Sequence, residues 1–295
     1  MKRSTGQTSH STCHTTLGPG DLAYPAGLGA LTSPPALYVR GATPWTTADT
    51  MVAIVGSRAA SYGGVRRTVE LAEGLTAAGV LVCSGGAIGI DAAAHAGAIR
   101  CAAPTVVWLG SPVEQPYPPR NASLFDEVLA LGGSLVSAQP AGMPILPAFF
   151  LRRNEYLARM CHAVVVVEAQ TRSGSLSTAR AAREAGKLVC AVPGSPGTDA
   201  LLAAGAAYVE SPAHVLDALG GRPHVPRRPG PDAGSPEAAA LAALDQPGGP
   251  IPLKLEDLAV RAGLAVPRAQ AALALLELEG LVTATSTGSW RIQSS

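Results

Sequence analysis

A chain of 295 residues, 47% hydrophobic and only 15% charged, is long enough for one large domain and a small second one, each with a buried core. Its formal net charge of +1 excludes a globally basic nucleic-acid binder, and no apolar run reaches the about 20 residues of a bilayer span. Cys13, Cys83, Cys101, Cys161 and Cys190 form an odd set without a C-x-x-C pair, which reads as reduced structural thiols in a cytoplasmic protein rather than disulfides or a metal site.

In chain order, residues 1–21 read as a disordered polar lead without the apolar stretch of a signal peptide, its His10 and His14 incidental. The stretch to residue 50 is mostly irregular, although YPAGLGALTSPPALYVRG reads as ordered through Pro34-Pro35 and the apolar Leu37-Tyr38-Val39. From Met51 onward MVAIVG, VLVCSG, TVVWLG, SLVSAQ, AVVVVEA and KLVCAVPG read as strands, most of them separated by amphipathic or Ala-rich helical stretches. Such alternation predicts an α/β fold with a doubly wound, mostly parallel sheet over residues 22–219. Residues 220–236, GGRPHVPRRPGPDAGSP, read as a linker. Residues 237–295 then outline three short helices and a two-stranded end, a small winged-helix-like domain.

Ligands of a doubly wound sheet sit beyond the carboxyl ends of its strands, so the loops there carry the chemistry. After the first strand come Gly56-Ser57-Arg58, a Gly63-Gly64 turn and Arg66-Arg67, which suit either an ordinary turn or a phosphate grip. The second loop crowds Gly85, Gly86 and Gly89 before a helix, with Asp91 placed to act as its N-cap and His95 one turn further. Asp91 and His95 could bind a metal or shuttle protons, but without a third ligand nearby a hydrogen-bonded pair holding the loop fits better. Arg120 and Asn121 follow the third strand, and Pro193-Gly194-Ser195 follows the last.

Phe149–Ala179 carries the most information: an Arg152-Arg153-Asn154 helix, a buried strand, then Arg172 and a Ser173-Gly174-Ser175 turn opening another helix. Backbone N–H groups at such a terminus are ready for an anion, and flanking arginines point to phosphate. Residues 51–219 hold twelve Lys/Arg against twelve Asp/Glu, so phosphate affinity must come from placement. There is no G-x-G-x-x-G after the first strand and no Walker-A lysine, which disfavours the usual dinucleotide and ATP loops, and no cofactor is expected. No nucleophile–base set stands out. Asp91 and Glu168 have structural readings, so an enzymatic mechanism is not demanded.

At these residues the sequence resembles the DprA/Smf family of DNA-processing proteins of natural transformation. The shared motifs are VAIVGSR (Val52–Arg58), SGGAIGIDAAAHAGA (Ser84–Ala98), YPPRN (Tyr117–Asn121), FLRRN (Phe150–Asn154), EAQTRSGSLSTA (Glu168–Ala179) and VPGS (Val192–Ser195). The resemblance implies an extended Rossmann-like fold, usually dimeric, that binds and protects single-stranded DNA and helps load RecA recombinase onto it, without catalysis. It places DNA contacts at Gly56, Ser57, Arg58, Gly85, Gly86, Arg120, Arg152, Arg153, Asn154, Arg172, Ser173, Gly174 and Ser175, with Gly89, Asp91, His95 and Gly194 shaping the loops. Glu155 stands where the family commonly has a basic residue, and Arg159 is spaced to pair with it.

Two other functions compete. A nucleoside-monophosphate phosphoribohydrolase could use the same strand ends with Glu168 or Asp91 as its acid, but the Pro-Gly-Gly-x-Gly-Thr loop of those enzymes is missing. An adaptor acting through the C-terminal domain is the other. Residues 235–295 hold four Lys/Arg against six Asp/Glu, a poor footprint for duplex DNA and a better one for a protein contact.

Overall fold

The computed structural model describes residues 14–220, 234–244, 252–278, 281–285 and 288–292. It divides into two compact units, Met1–Pro226 and Arg227–Ser295. The expected linker lies almost wholly outside the described residues, as do Cys13 and His10.

In the first unit, nine described strands form one sheet. They are β1 (Thr15–Leu17), β2 (Leu37–Gly41), β3 (Met51–Val55), β4 (Leu81–Ser84), β5 (Val106–Leu109), β6 (Ser134–Ser137), β7 (Ala163–Val166), β8 (Leu188–Ala191) and β9 (Ala207–Tyr208). Their order is β1-β2-β6-β5-β4-β3-β7-β8-β9. Every expected strand from Met51 onward is present. All the pairings among β3 to β9 are parallel, whereas β2 runs antiparallel to β6 and β1 antiparallel to β2.

The edge pair β1–β2 corrects two expectations. Residues 14–21, read as part of a disordered lead, include a strand whose Thr15, Thr16 and Leu17 pair with Val39, Tyr38 and Leu37. His14, read as incidental, sets its Nδ1 2.5 Å from Glu114 Oε1 and its ring edge-on to Tyr38.

The sheet is covered on both faces. Along β3 the side chains alternate: Val52 and Ile54 enter one core, Ala53 and Val55 the other. The first core is closed by α2 (Tyr62–Ala77) and α3 (Ile90–Arg100), with α4 (Ala122–Ala130) over the β5–β6 end. The second is closed by α5 (Pro147–Met160) and α6 (Ser175–Glu184), with Leu28 of the short α1 (Ala26–Gly29) buried in it as well. Helix α2 buries Thr68, Leu71, Ala72 and Leu75, a one-sided helical stripe. It lies so close to α3 that a Cβ on Gly97 would come 2.6 Å from that of Ala72.

The chain builds β3 to β6 in one direction and then crosses back to lay β7 beside β3. Loops leaving β3 and β7 therefore diverge to opposite sides, and a crevice opens between them at the carboxyl ends of the strands.

The second unit holds α9 (Pro236–Leu244), α10 (Leu255–Ala262) and α11 (Val266–Leu278), α7 (Pro196–Ala203) and α8 (Pro212–Ala218) being the last helices of the first unit. Where two strands were expected there are three: β10 (Leu253–Lys254), β11 (Val282–Ala284) and β12 (Ser289–Ile292), antiparallel in the order β10-β12-β11. Ala243, Leu244, Leu258, Leu273, Leu276 and Val282 form its core. Among the described residues, no single helix is long and apolar enough to cross a membrane.

Candidate functional site

A cavity of about 830 Å³ occupies the crevice. One wall is Gly56-Ser57-Arg58, directly after β3; the opposite wall is Arg172 with Ser173-Gly174-Ser175, at the start of α6. Helix α5 closes a third side with Phe150, Arg153 and Asn154. Two loops and a helix, distant in sequence, thus meet around one space.

Glu168 fixes the first two walls against each other. It lies just past β7, and its carboxylate accepts from Ser61 N–H (3.0 Å) and from Ser61 Oγ–H (2.8 Å). Ser61 Oγ in turn accepts from Gly64 N–H at 3.0 Å, capping α2. A Cβ on Gly64 would collide with the Glu168 carboxylate, so the glycine there serves close approach. The sequence reading of Glu168 as a strand-end acceptor agrees with this geometry.

The floor holds two buried residues of opposite charge, Arg153 and Asp91. Arg153 is only 5% exposed, and its Nη1 donates to Trp108 O (2.7 Å) and to Gly85 O, tying α5 to the ends of β5 and β4. Asp91 faces it. Burial raises the Asp91 carboxyl above the usual carboxylate range, opposed by Arg153 and by the N–H of Ala87 at 3.3 Å. Desolvation likewise lowers the Arg153 guanidinium, with Asp91 opposing the shift. The Arg153 Nε is buried without a hydrogen-bond partner while the side chain lines the cavity. Its guanidinium carbon also stands 5.9 Å from the centre of the Phe150 ring.

The structure corrects several sequence expectations here. Asp91 is not the N-cap of α3: that position is Gly89, at φ +82°, where a Cβ would clash with the carbonyl oxygens of Ser57 and Arg58. His95 does not pair with Asp91. Its Nδ1 lies 2.9 Å from Thr105 Oγ1, and because Thr105 donates to Val82 O (2.7 Å), the imidazole carries its proton on Nδ1. Burial holds the His95 pKa down at about 3, so the ring is neutral. Among the described residues no cluster of three His, Cys, Asp or Glu is placed to hold a metal.

Gly85 and Gly86, expected against DNA, are buried instead. A Cβ on Gly85 would overlap the Arg153 guanidinium, and one on Gly86 would come 2.6 Å from Val107 Cγ1. Both are required by packing. Arg152 and Arg120 are exposed but lie outside the cavity lining. Next to Arg120, the buried Asn121 donates from Nδ2 to Gly86 O at 2.9 Å. Asn154 acts as a tie as well, its Nδ2 donating to Ser177 Oγ (2.9 Å) and Gly174 O (3.3 Å) to hold α5 against the start of α6. Gly194, at φ +106°, donates its N–H to Asp199 Oδ1 at 2.9 Å, away from the cavity.

Of the expected contact residues the cavity therefore gathers Gly56, Ser57, Arg58, Arg153, Asn154, Arg172, Ser173, Gly174 and Ser175. Sequence reasoning missed its apolar side, formed by Tyr117, Ile145, Phe150 and Leu151. Tyr117 and Phe150 meet edge to face, 5.8 Å between ring centres. The signal was available: Phe150 sits two residues before Arg152, and Tyr117 three before Arg120.

A mostly parallel sheet of this order agrees with comparison to known proteins. The model for DNA recombination-mediator protein A matches residues 15–220, and that for the DprA winged helix domain matches residues 224–286. The chain belongs to this family. Protein Smf of Escherichia coli (strain K12) is 36% identical over 288 residues, covering 92% of this chain and 75% of that protein. The putative DNA processing protein DprA of Mycobacterium tuberculosis (strain H37Rv) is 35% identical over 289 residues, covering 93% and 72%. The X-ray structure of DprA from Streptococcus pneumoniae superposes with a TM-score of 0.64 at 33% identity, covering 69% of this chain and 74% of that one. A structure of the Helicobacter pylori protein, described for its unique single-stranded DNA binding mode, superposes with a TM-score of 0.63 at 28% identity, covering 70% and 95%. Family membership places the chain among DNA-processing proteins, and the fold is the mostly parallel α/β sheet with a C-terminal winged helix.

Proposed function

We propose that this protein binds single-stranded DNA in the cavity between Arg58 and Arg172, shields it, and presents it to a RecA recombinase during uptake and recombination of DNA. The observation that carries the reading is the pairing of two wall chemistries around one space. Arg58, Arg172 and the start of α6 suit phosphates, while Phe150 and Tyr117 suit the faces of unpaired bases. A duplex hides its base faces, so this combination favours a single strand. The Helicobacter pylori relative, described as binding single-stranded DNA, supports the same assignment.

The expected contact residues are Gly56, Ser57, Arg58, Arg172, Ser173, Gly174 and Ser175, with Arg153 and Asn154 holding the walls and Arg152 and Arg120 reaching the strand outside the cavity. The role is binding rather than catalysis. Glu168 is engaged by Ser61 through both its N–H and its hydroxyl, which argues against its serving a phosphoribohydrolase as the acid. RecA and a second copy of this chain are the protein partners the reading includes.

Binding of labelled single strands should weaken steeply as salt rises, because each neutralised phosphate releases counterions. Equal affinity for duplex and single strand, or affinity indifferent to salt, would overturn the proposal.

A further inference from the structure

At the rim of the cavity the first turn of α2 presents an aromatic ring with nothing packed over it. Tyr62 is 84% exposed. A large ring left in water contributes nothing to the core, and the stripe that anchors α2 (Thr68, Leu71, Ala72, Leu75) lies elsewhere on the helix. Its position is nonetheless rigid. The preceding residue, Ser61, is gripped through both its N–H and its hydroxyl by Glu168, on the segment that leads into the Arg172–Ser175 wall. Ala59, three residues before Tyr62, lines the cavity itself.

Charge accompanies the ring on both sides. Arg58 is exposed four residues earlier, at the cavity wall, and Arg66 is one turn further along the same helix face. The Arg66 side chain is 68% exposed and only loosely paired with Glu70 at 3.5 Å. Between them Gly63 is exposed and open, a Cβ there meeting nothing nearer than Ser61 Oγ at 3.9 Å. The surface leaving the cavity thus runs arginine, tyrosine, glycine, arginine. A flat ring held by a fixed backbone, with cations at one-turn spacing, is the arrangement on which a single strand stacks a base while its phosphates track the charges.

We infer that Tyr62 is a stacking platform for the base next to those inside the cavity, with Arg66 on the adjoining phosphate. The bound strand then runs out of the cavity over the first turn of α2. This rests on the single-strand reading above and extends it by one subsite.

A length comparison tests it with the full chain, using oligothymidylates as probes: a trinucleotide, short enough to stay within the cavity, and a dodecanucleotide, long enough to leave it. Tyr62→Ala should weaken the dodecanucleotide by about tenfold, the scale of one base–aromatic stack, and leave the trinucleotide unchanged. Tyr62→Phe, which keeps the ring, should bind both as the unaltered protein does. Arg66→Ala should lower the slope of log affinity against log salt by about 0.7 for the dodecanucleotide alone. The inference fails if Tyr62→Ala binds the dodecanucleotide normally, or if it weakens both lengths equally. The single-strand reading itself fails by a different result, Arg58→Ala leaving both lengths unaffected.

Discussion

Arg159 donates from Nε to Glu155 Oε1 at 2.9 Å, one turn apart on α5, and neither residue lines the cavity. Glu155, where the resemblance led to the expectation of a basic residue, is thus neutralised locally and lies outside the cavity lining. Glu155→Gln should therefore change affinity for single-stranded DNA by less than about twofold, as expected of a partly exposed ion pair. Fluorescence anisotropy would show it, and a tenfold gain in affinity would mean that Glu155 meets the strand after all.

Arg58 and Arg172 are exposed at the two walls. Replacing either with Ala should leave thermal stability within about 0.5 kcal/mol, as at most surface positions. Affinity should drop by about tenfold, the size of one charge-assisted hydrogen bond, with all sequences affected alike. A loss restricted to particular sequences would contradict phosphate contact.

Arg153 should behave in the opposite way. Arg153→Met removes from a buried site both the charge opposite Asp91 and the hydrogen bonds to Trp108 O and Gly85 O, at a cost of about 3–5 kcal/mol, while the double change with Asp91→Asn should recover part of it. Denaturant melts of the four proteins form the cycle; strictly additive losses would show that the two groups do not interact.

Burial of His95 sets a pH dependence whose sign follows from its shift. The folded value is about 3 against an unfolded 6.5, so the unfolded chain takes up the proton first. Its contribution is present above pH 6.5 and is lost as pH falls through that window towards 3, by at most about 1.4 kcal/mol per pH unit. Asp91, whose carboxyl is raised, works against this: its folded form holds the proton to higher pH, so stability from it rises as pH falls towards the unfolded value of 3.8. Replacing His95 with Gln should flatten the acid limb of stability against pH. An unchanged limb would assign acid lability to other groups.

Glu168→Ala frees the cap of α2 without touching an arginine. It should reduce affinity about as much as loss of a wall arginine and cost roughly 1–2 kcal/mol through the uncapped Ser61 N–H. Normal binding by this variant would show that the two walls need no common anchor.

The interior of the sheet was legible because strands covered on both faces read as unbroken apolar runs; every residue of β4, β5, β6 and β7 is buried. The outer pair β1–β2 was not, since only Leu17 of β1 and Leu37 and Val39 of β2 are buried, which leaves no run covered on both faces. Arg153, expected as a DNA contact, lines the cavity, and periodicity also held its burial. It falls on one helical stripe with Tyr156, Leu157 and Met160, all buried, while Arg152 beside it points to solvent. His95 was paired with the wrong residue because its partner, Thr105, comes from the approach to the next strand, beyond the reach of spacing rules.

The glycines around the crevice have a consequence for how this surface can diverge. Gly56 has Ile90 Cγ1 2.6 Å from where a Cβ would stand, and Gly85, Gly86 and Gly89 are equally hemmed in, whereas Gly174 has open space around it. In a library carrying every single substitution, the least tolerant positions near the cavity should be these hemmed-in glycines, with the exposed Arg58 and Arg172 accepting replacement readily. Selection for folding alone would then preserve the frame and leave ligand preference free to drift at the rim.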